Sequence, residues 1–415
     1  MSAPGRKTGA PSPAALAAFF GLNAGVMAMM VTVVLVGLGE KMAERFLPLY
    51  IVALGGSALA VSSLNALDNF LSAVYSLIGG FVSDRLGYKK ALVAFTALAL
   101  FGYLIVILIP DWRAVLVGSV FFIAWTAISL PAIMSLVTSA VAANKRTMGT
   151  TVHSFVRRIP MALGPLIGGF VIAALGERNG LIVAFTVAFV LGLISIFVIL
   201  RFMPEPVRKP GLKAAGFLDG LRGLRGRLGV LLLSDTLVRF AEHIPYPFVV
   251  IWVVTNKGLG EASFGILTAI EMATAMLVYI PVAYLADRGS KKPFVAATFA
   301  FFSIFPLILL FSGSFATMVL AFIVRGLKEF GEPTRKTLIN ELAPEATRAV
   351  TFGTYYLIRD IAVSIAALLA GLLWSASPAL MFVTASCFGL AGFLVFLIFG
   401  SDAGRVGGVD AQSSS

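Results

Sequence analysis

The side chains able to move protons or hold a charged ligand lie inside long apolar runs, where charge is least expected. An ionisable group in a hydrocarbon setting is costly, so such groups normally face a wet cavity, pair with one another and mark a path for an ion or ligand. Glu40 and Glu44 are four apart and share one helical face, with Arg45 beside them. Asp235, Arg239 and Glu242 follow an i, i+4, i+7 stripe, and Arg325, Glu329 and Glu332 repeat it with Lys328 alongside. Asp68 and Glu271 stand singly in their runs, while Arg157 with Arg158 and Arg359 with Asp360 form adjacent pairs. Carboxylates exchange protons, guanidinium groups hold anions, and stripes of both signs can trade ion-pair partners. Glu40, near the middle of its run, is the first choice for a proton-exchanging acid and Glu44 the second. No phosphate-cradling glycine loop, metal-ligand spacing or nucleophile elbow occurs, which argues against an enzyme, a metal site or an ATP-driven pump, and no cofactor is expected.

The elements that must position these groups are membrane helices. Of the 415 residues, 59% are hydrophobic and 13% charged, which separates this chain from soluble globular proteins. Its apolar runs are long enough as helices to cross a hydrocarbon core of roughly 30 Å, and the alternation of a barrel strand is absent. The sequence predicts an all-α membrane protein of twelve transmembrane helices in two pseudo-symmetric six-helix bundles. The first six spans fall at 26–54, 59–83, 89–109, 114–142, 147–174 and 180–203, and the second six at 230–255, 262–286, 292–311, 315–340, 349–375 and 378–400. Residues 1–25 form a cytoplasmic or interfacial N-terminus, 26–203 the first bundle and 230–400 the second. Between the bundles, 204–229 reads as a basic amphipathic linker on the membrane surface, and 401–415 is a tail.

Orientation follows from the loops. One set carries Arg85, Lys89, Lys90, Arg288, Arg335, Lys336 and the basic linker, and the opposite set only Arg113, Arg178 and Lys257. The positive-inside rule places the first set and both termini in the cytoplasm, in a multi-pass cell (inner or plasma) membrane protein. The formal charge of +12 belongs to these loops and to anionic lipid rather than to nucleic acid. The single cysteine, Cys387, excludes an intrachain disulfide.

Between the second and third runs stands a charged knuckle, Gly80-Phe-Val-Ser-Asp84-Arg85-Leu-Gly87-Tyr-Lys89-Lys90, which returns one residue shorter around Asp287 and Arg288. Asp68 precedes Asp84 by the same sixteen residues that separate Glu271 from Asp287. Pro131 with Pro333, Arg157 with Arg359 and Arg158 with Asp360 share an offset of 202. Such register indicates duplication, and repeats packed about a midplane site are how many transporters are built. Asp84 opposes the dipole of its own helix but suits the N-terminus of a helix in the other half, so the knuckle is expected to latch the halves at the cytoplasmic side. A solvated turn is the alternative.

In these motifs the chain resembles the major facilitator superfamily over nearly its whole length. Gly80, Asp84, Arg85, Gly87, Lys89 and Lys90 match that family's cytoplasmic loop signature between spans two and three, with Asp287 and Arg288 in the second copy. Gly164, Pro165, Gly168 and Gly169 are similar to the core of a motif found in its proton-coupled drug antiporters. Pro160 and Thr151 stand where the full pattern has glycines, and the span-four arginine of those antiporters is missing. The resemblance implies that spans one, four, seven and ten line a central cavity. It also implies alternating access, with protons exchanged for an exported amphiphilic small molecule. A proton symporter importing a polar or zwitterionic metabolite, and a non-transporting receptor or scaffold on the same fold, are the alternatives. Asp68 and Glu271 lie about 24 Å along their helices from the knuckle aspartates, as outer-gate groups or as solvated ones. Arg157 and Arg359 either pair across the cavity or hold an anionic ligand group. Expected partners are a small-molecule substrate, protons and membrane lipid, for a chain acting as a monomer.

Overall fold

The computed structural model describes residues 24–123, 125, 146–203, 217–286 and 290–402. Every regular element among them is helical. The reason is physical: in lipid each backbone N–H and C=O must find its partner within the segment, and a helix does this. The chain runs through α1 (Ala24–Glu44), α2 (Leu47–Ala53), α3 (Ala58–Leu86) and α4 (Tyr88–Leu108). The short apolar α5 (Trp112–Ile123) follows, then α6 (Arg146–Leu175), α7 (Glu177–Phe202) and, within the linker, α8 (Phe217–Gly223). The second part comprises α9 (Arg227–His243), α10 (Phe248–Ile251), α11 (Glu261–Ala286), α12 (Lys292–Phe311), α13 (Phe315–Leu327), α14 (Glu332–Leu342), α15 (Arg348–Ala376) and α16 (Pro378–Phe399). Eight helical segments among the described residues are long and apolar enough to cross a membrane.

Three expected spans are interrupted, and the interruptions share a cause. Residues 26–54 divide between α1 and α2 at Arg45 and Phe46, with Pro48 in the first turn of α2. Residues 230–255 divide after His243, where Pro245 and Pro247 intervene, and α10 then widens into one π turn, Trp252–Asn256. Residues 315–340 divide between α13 and α14, with Pro333 opening α14. Proline removes a backbone donor and clashes with the preceding turn, so each helix stops just short of it. Charged residues cluster at all three breaks: Arg45, then Glu242 and His243, then Lys328, Glu329 and Glu332.

Packing within residues 24–203 has its counterpart within 227–399. Helix α7 packs on α1 and α4 as α16 packs on α9 and α12. Two large contacts join the parts, α3 with α15 and α6 with α11. At the end opposite the basic knuckle these contacts are backbone-close. A Cβ on Gly371 would lie 2.7 Å from Ala58 O, and one on Gly169 would lie 2.5 Å from Glu261 O. Phe46 meets Phe264 edge to face at 5.5 Å, and Asn65 Nδ2 donates to His243 O at 2.7 Å. Here the two parts are sealed together.

Candidate functional site

A cavity of about 210 Å3 lies below this seal. Helix α1 contributes Glu40, Lys41, Glu44 and Arg45 to its wall, α3 contributes Asp68 and Ser72, and Tyr246 and Arg325 come from the second part of the chain. Aromatic rings from α4, α5, α7 and α11, namely Tyr103, Phe122, Phe185 and Phe264, complete the lining. Three carboxylates therefore face three cations in one small space.

Their partners differ. Lys41 Nζ donates to Glu40 Oε1 at 3.1 Å and also bonds Glu44, so two carboxylates share one ammonium. Arg45 makes no ion pair among the described residues. Its guanidinium lies 5.0 Å from the Tyr246 ring, and that of Arg325 lies 5.6 Å from the same ring. Such stacking is favourable for each cation but does not neutralise it. Among the described residues Asp68 accepts only from Ser72 Oγ, at 3.5 Å. Glu271, by contrast, is wholly buried between Arg325 Nε at 3.3 Å and Lys328 Nζ at 3.5 Å. The solvated reading of Glu271 is corrected accordingly: a charge removed from water needs partners, and two cations supply them.

The mixed stripes form one continuous network in the second part. Lys328 Nζ donates to Glu242 at 2.7 Å, and Arg239 reaches Glu242 at 2.6 Å and Glu332 at 2.9 Å. Arg335 donates to Glu332 through Nε at 3.1 Å and Nη2 at 2.6 Å, and its Nη1 bonds Asp235. Asp235 also accepts from the Tyr355 hydroxyl at 3.0 Å and Arg359 at 3.4 Å, and Arg359 reaches Asp360 at 2.7 Å. Arg335, expected in a cytoplasmic loop, is 0% exposed and is the hub of this network. Its spacing of three from Glu332 is the signal that could have placed it there.

An ion pair across the two parts joins Arg158 to Glu329, at 3.0 Å. Arg157, named as a cross-cavity partner, makes no ion pair among the described residues, and Arg359 pairs within its own part. One residue turns a helix by about 100°, so Arg158 and its neighbour address different surfaces.

The glycine–proline motif is a seam. A Cβ on Gly164 would lie 2.6 Å from Lys41 Cβ and one on Gly168 2.2 Å from Met42 O, so both hold α6 against α1. Gly169 and the Pro165 carbonyl face Glu261 and Gly265 of α11. Small residues thus let α6 approach helices from both parts at once.

At the knuckle, α3 runs on past the expected end at residue 83 to Leu86, passing Gly80, and Gly87 turns with φ 84° before α4 begins. That left-handed value suits glycine alone. The side chains of Asp84 and Arg85, and all of Asp287 and Arg288, lie outside the described residues. Lys89 Nζ donates to Leu200 O at 2.9 Å, at the end of α7, while Lys90 is exposed. In the second copy the Lys291 and Lys292 amides both donate to Asp402 Oδ1 at 2.8 Å, just past α16.

Comparison with known proteins agrees with this architecture. The family model described as Major Facilitator Superfamily matches residues 29–234 and 231–413. An uncharacterized MFS-type transporter of Methanocaldococcus jannaschii is 20% identical over 374 residues, covering 87% of this chain and 91% of the relative. Among solved structures, the nucleoside transporter NupG superposes with a TM-score of 0.78 at 11% identity, over 91% of this chain and 100% of that one. A POT family transporter in complex with 5-aminolevulinic acid gives 0.77 at 15% identity, over 92% and 97%.

Proposed function

We infer the finer function of this chain from one premise: it belongs to the major facilitator superfamily, and it is a transporter of that kind, not an enzyme. We propose that it is a secondary active carrier of a small, charge-bearing polar solute, working by alternating access with coupled protons. The observation that carries this reading is the cavity itself, enclosed between the two parts and lined by six ionisable groups of both signs. A cavity of about 210 Å3 is smaller than the roughly 300–1,000 Å3 of pockets for drug-sized ligands, which favours a metabolite. The fold is shared with a nucleoside transporter and with a POT family transporter in complex with 5-aminolevulinic acid, in keeping with a polar cargo.

In this proposal twelve spans form two six-helix bundles, 26–203 and 230–400, joined by the linker, and the chain acts as a monomer. The basic knuckles and both termini face the cytoplasm, so the sealed end faces outward and the cavity opens inward. Glu40 and Glu44 carry the transported proton. Both carboxylates reach the one Lys41 ammonium, so a proton gained by either loosens its hold on that shared cation. The cytoplasmic latch through Asp84 belongs to the opposite state, in which the cytoplasmic side is closed, and Asp84→Asn should slow trapping of cysteine pairs placed across that side.

Exchange of protons for an exported amphiphile is a second reading, favoured by the Tyr103, Phe122, Phe185 and Phe264 rings in the cavity wall. A solute screen on protein reconstituted in vesicles with an imposed pH gradient separates the two. Uptake of polar solutes down the proton gradient supports the first, extrusion of hydrophobic cations supports the second, and movement of neither sinks both.

A further inference from the structure

Within the cavity the two signs of charge are not mixed but sorted. Arg45 and Arg325 share the Tyr246 ring, at 5.0 and 5.6 Å. Among the described residues Arg325 meets one carboxylate, that of Glu271, with Nε 3.3 Å from its Oε1. The terminal nitrogens of Arg325 and the whole Arg45 guanidinium make no hydrogen bond among the described residues. Two guanidinium groups against one ring repel each other, and a bidentate anion between them relieves the repulsion while filling their donors.

Asp68 is the mirror case. Among the carboxylates of the cavity wall it alone has no cation within 4.0 Å among the described residues, since Glu40 and Glu44 both have Lys41. Its one hydrogen bond among the described residues is the 3.5 Å contact from Ser72. In the same wall the Tyr103 hydroxyl, on a residue 2% exposed, has no hydrogen-bond partner among the described residues. Buried polar atoms are normally paired, so an orphan facing a cavity marks the place of a ligand atom. The lining also sums to zero charge, three carboxylates against three cations.

We propose that this cavity takes a compact zwitterion end to end, its anionic group between Arg45 and Arg325 over Tyr246 and its cationic group at Asp68. The proposal rests on the carrier reading for its purpose but not for its geometry. A ligand with no net charge leaves the balanced wall balanced, and its two ends supply the partners that both open sites lack. An anion or a cation alone satisfies one site and leaves the other open.

The test is equilibrium binding to the purified full-length protein in detergent, by calorimetry. The probes are β-alanine, γ-aminobutyrate and ε-aminocaproate, each beside the carboxylic acid and the amine of the same chain length. Phosphoethanolamine tells a phosphate end from a carboxylate end. The wild type should bind at least one zwitterion at least about tenfold more tightly than both singly charged analogues, a typical value for one charge-assisted hydrogen bond. Asp68→Asn should keep carboxylate binding and lose the preference for the zwitterion over the acid, and Arg45→Gln should lose the preference over the amine. Tyr103→Phe should weaken the zwitterion and leave the acid unchanged. A wild type that binds no zwitterion better than its analogues overturns the proposal, as does an Asp68→Asn protein of unchanged melting temperature that keeps the preference. Binding needs neither a gradient nor movement. A protein that binds the zwitterion but carries nothing in vesicles therefore defeats the carrier reading alone.

Discussion

The seam between α6 and α11 offers a sharp test of how the molecule moves. A Cβ added at Gly265 would lie 2.5 Å from Pro165 O and 3.2 Å from Leu166 Cα, both backbone atoms that cannot swing aside. Ordinary contact begins near 3.4 Å, so Gly265→Ala must part the two helices by about 0.9 Å. Overpacking of this kind costs about 1–3 kcal/mol, and each 1.4 kcal/mol is about tenfold in an equilibrium. The sealed arrangement should therefore lose roughly five- to 150-fold in population to one in which the seam is parted. The assay is the labelling rate of a single cysteine at Ser72, in a Cys387→Ser background, by an impermeant maleimide added at the sealed end. Gly265→Ala should raise that rate at least about fivefold. Gly353→Ala, whose Cβ would meet nothing within 4 Å, is the control. If Gly265→Ala labels at the wild-type rate and melts at the wild-type temperature, the seam is not what closes that end.

Other consequences follow from the ion pairs. Arg335→Met should lower stability by about 3 kcal/mol, the low end for breaking a buried pair, because Asp235 retains Arg359 at 3.4 Å and Glu332 retains Arg239 at 2.9 Å. Adding Asp235→Leu should recover part of the lost melting temperature, and a double variant weaker than the single would contradict the network. Arg158→Glu should impair transport and the swap with Glu329→Arg should restore it; the pair, 16% and 24% exposed, should show a coupling of about 1 kcal/mol in a double-mutant cycle. Glu44→Gln should abolish solute accumulation driven by a pH gradient while sparing solute exchange at equal pH. Loss of both would make Glu44 a solute ligand instead.

Much of the fold was legible because lipid leaves the backbone so little choice. The expected ends of the spans at 89–109, 147–174, 262–286 and 378–400 lie within one residue of α4, α6, α11 and α16. The charges that belong together were also visible, since a helical period of 3.6 puts Asp235, Arg239 and Glu242 on one face whatever surrounds them. The prolines at the three breaks stood in the sequence too. That the first two of these breaks line one cavity emerged only when the helices were packed.

The partners were not legible. Helical periodicity specifies a face but not what that face meets, and a pairing is a property of two helices brought together by the chain's whole packing. So Arg335 read as a loop residue and is the buried hub, Arg158 rather than Arg157 crosses to Glu329, and Lys41 went unnoticed between the two glutamates it holds. The sequence by itself determined that these charges sit inside membrane helices. Tertiary structure alone decided which neutralise one another and which, Arg45 and Asp68 above all, have no ion-pair partner among the described residues, because an ion pair needs approach within a few ångströms, and only packing brings distant segments that close.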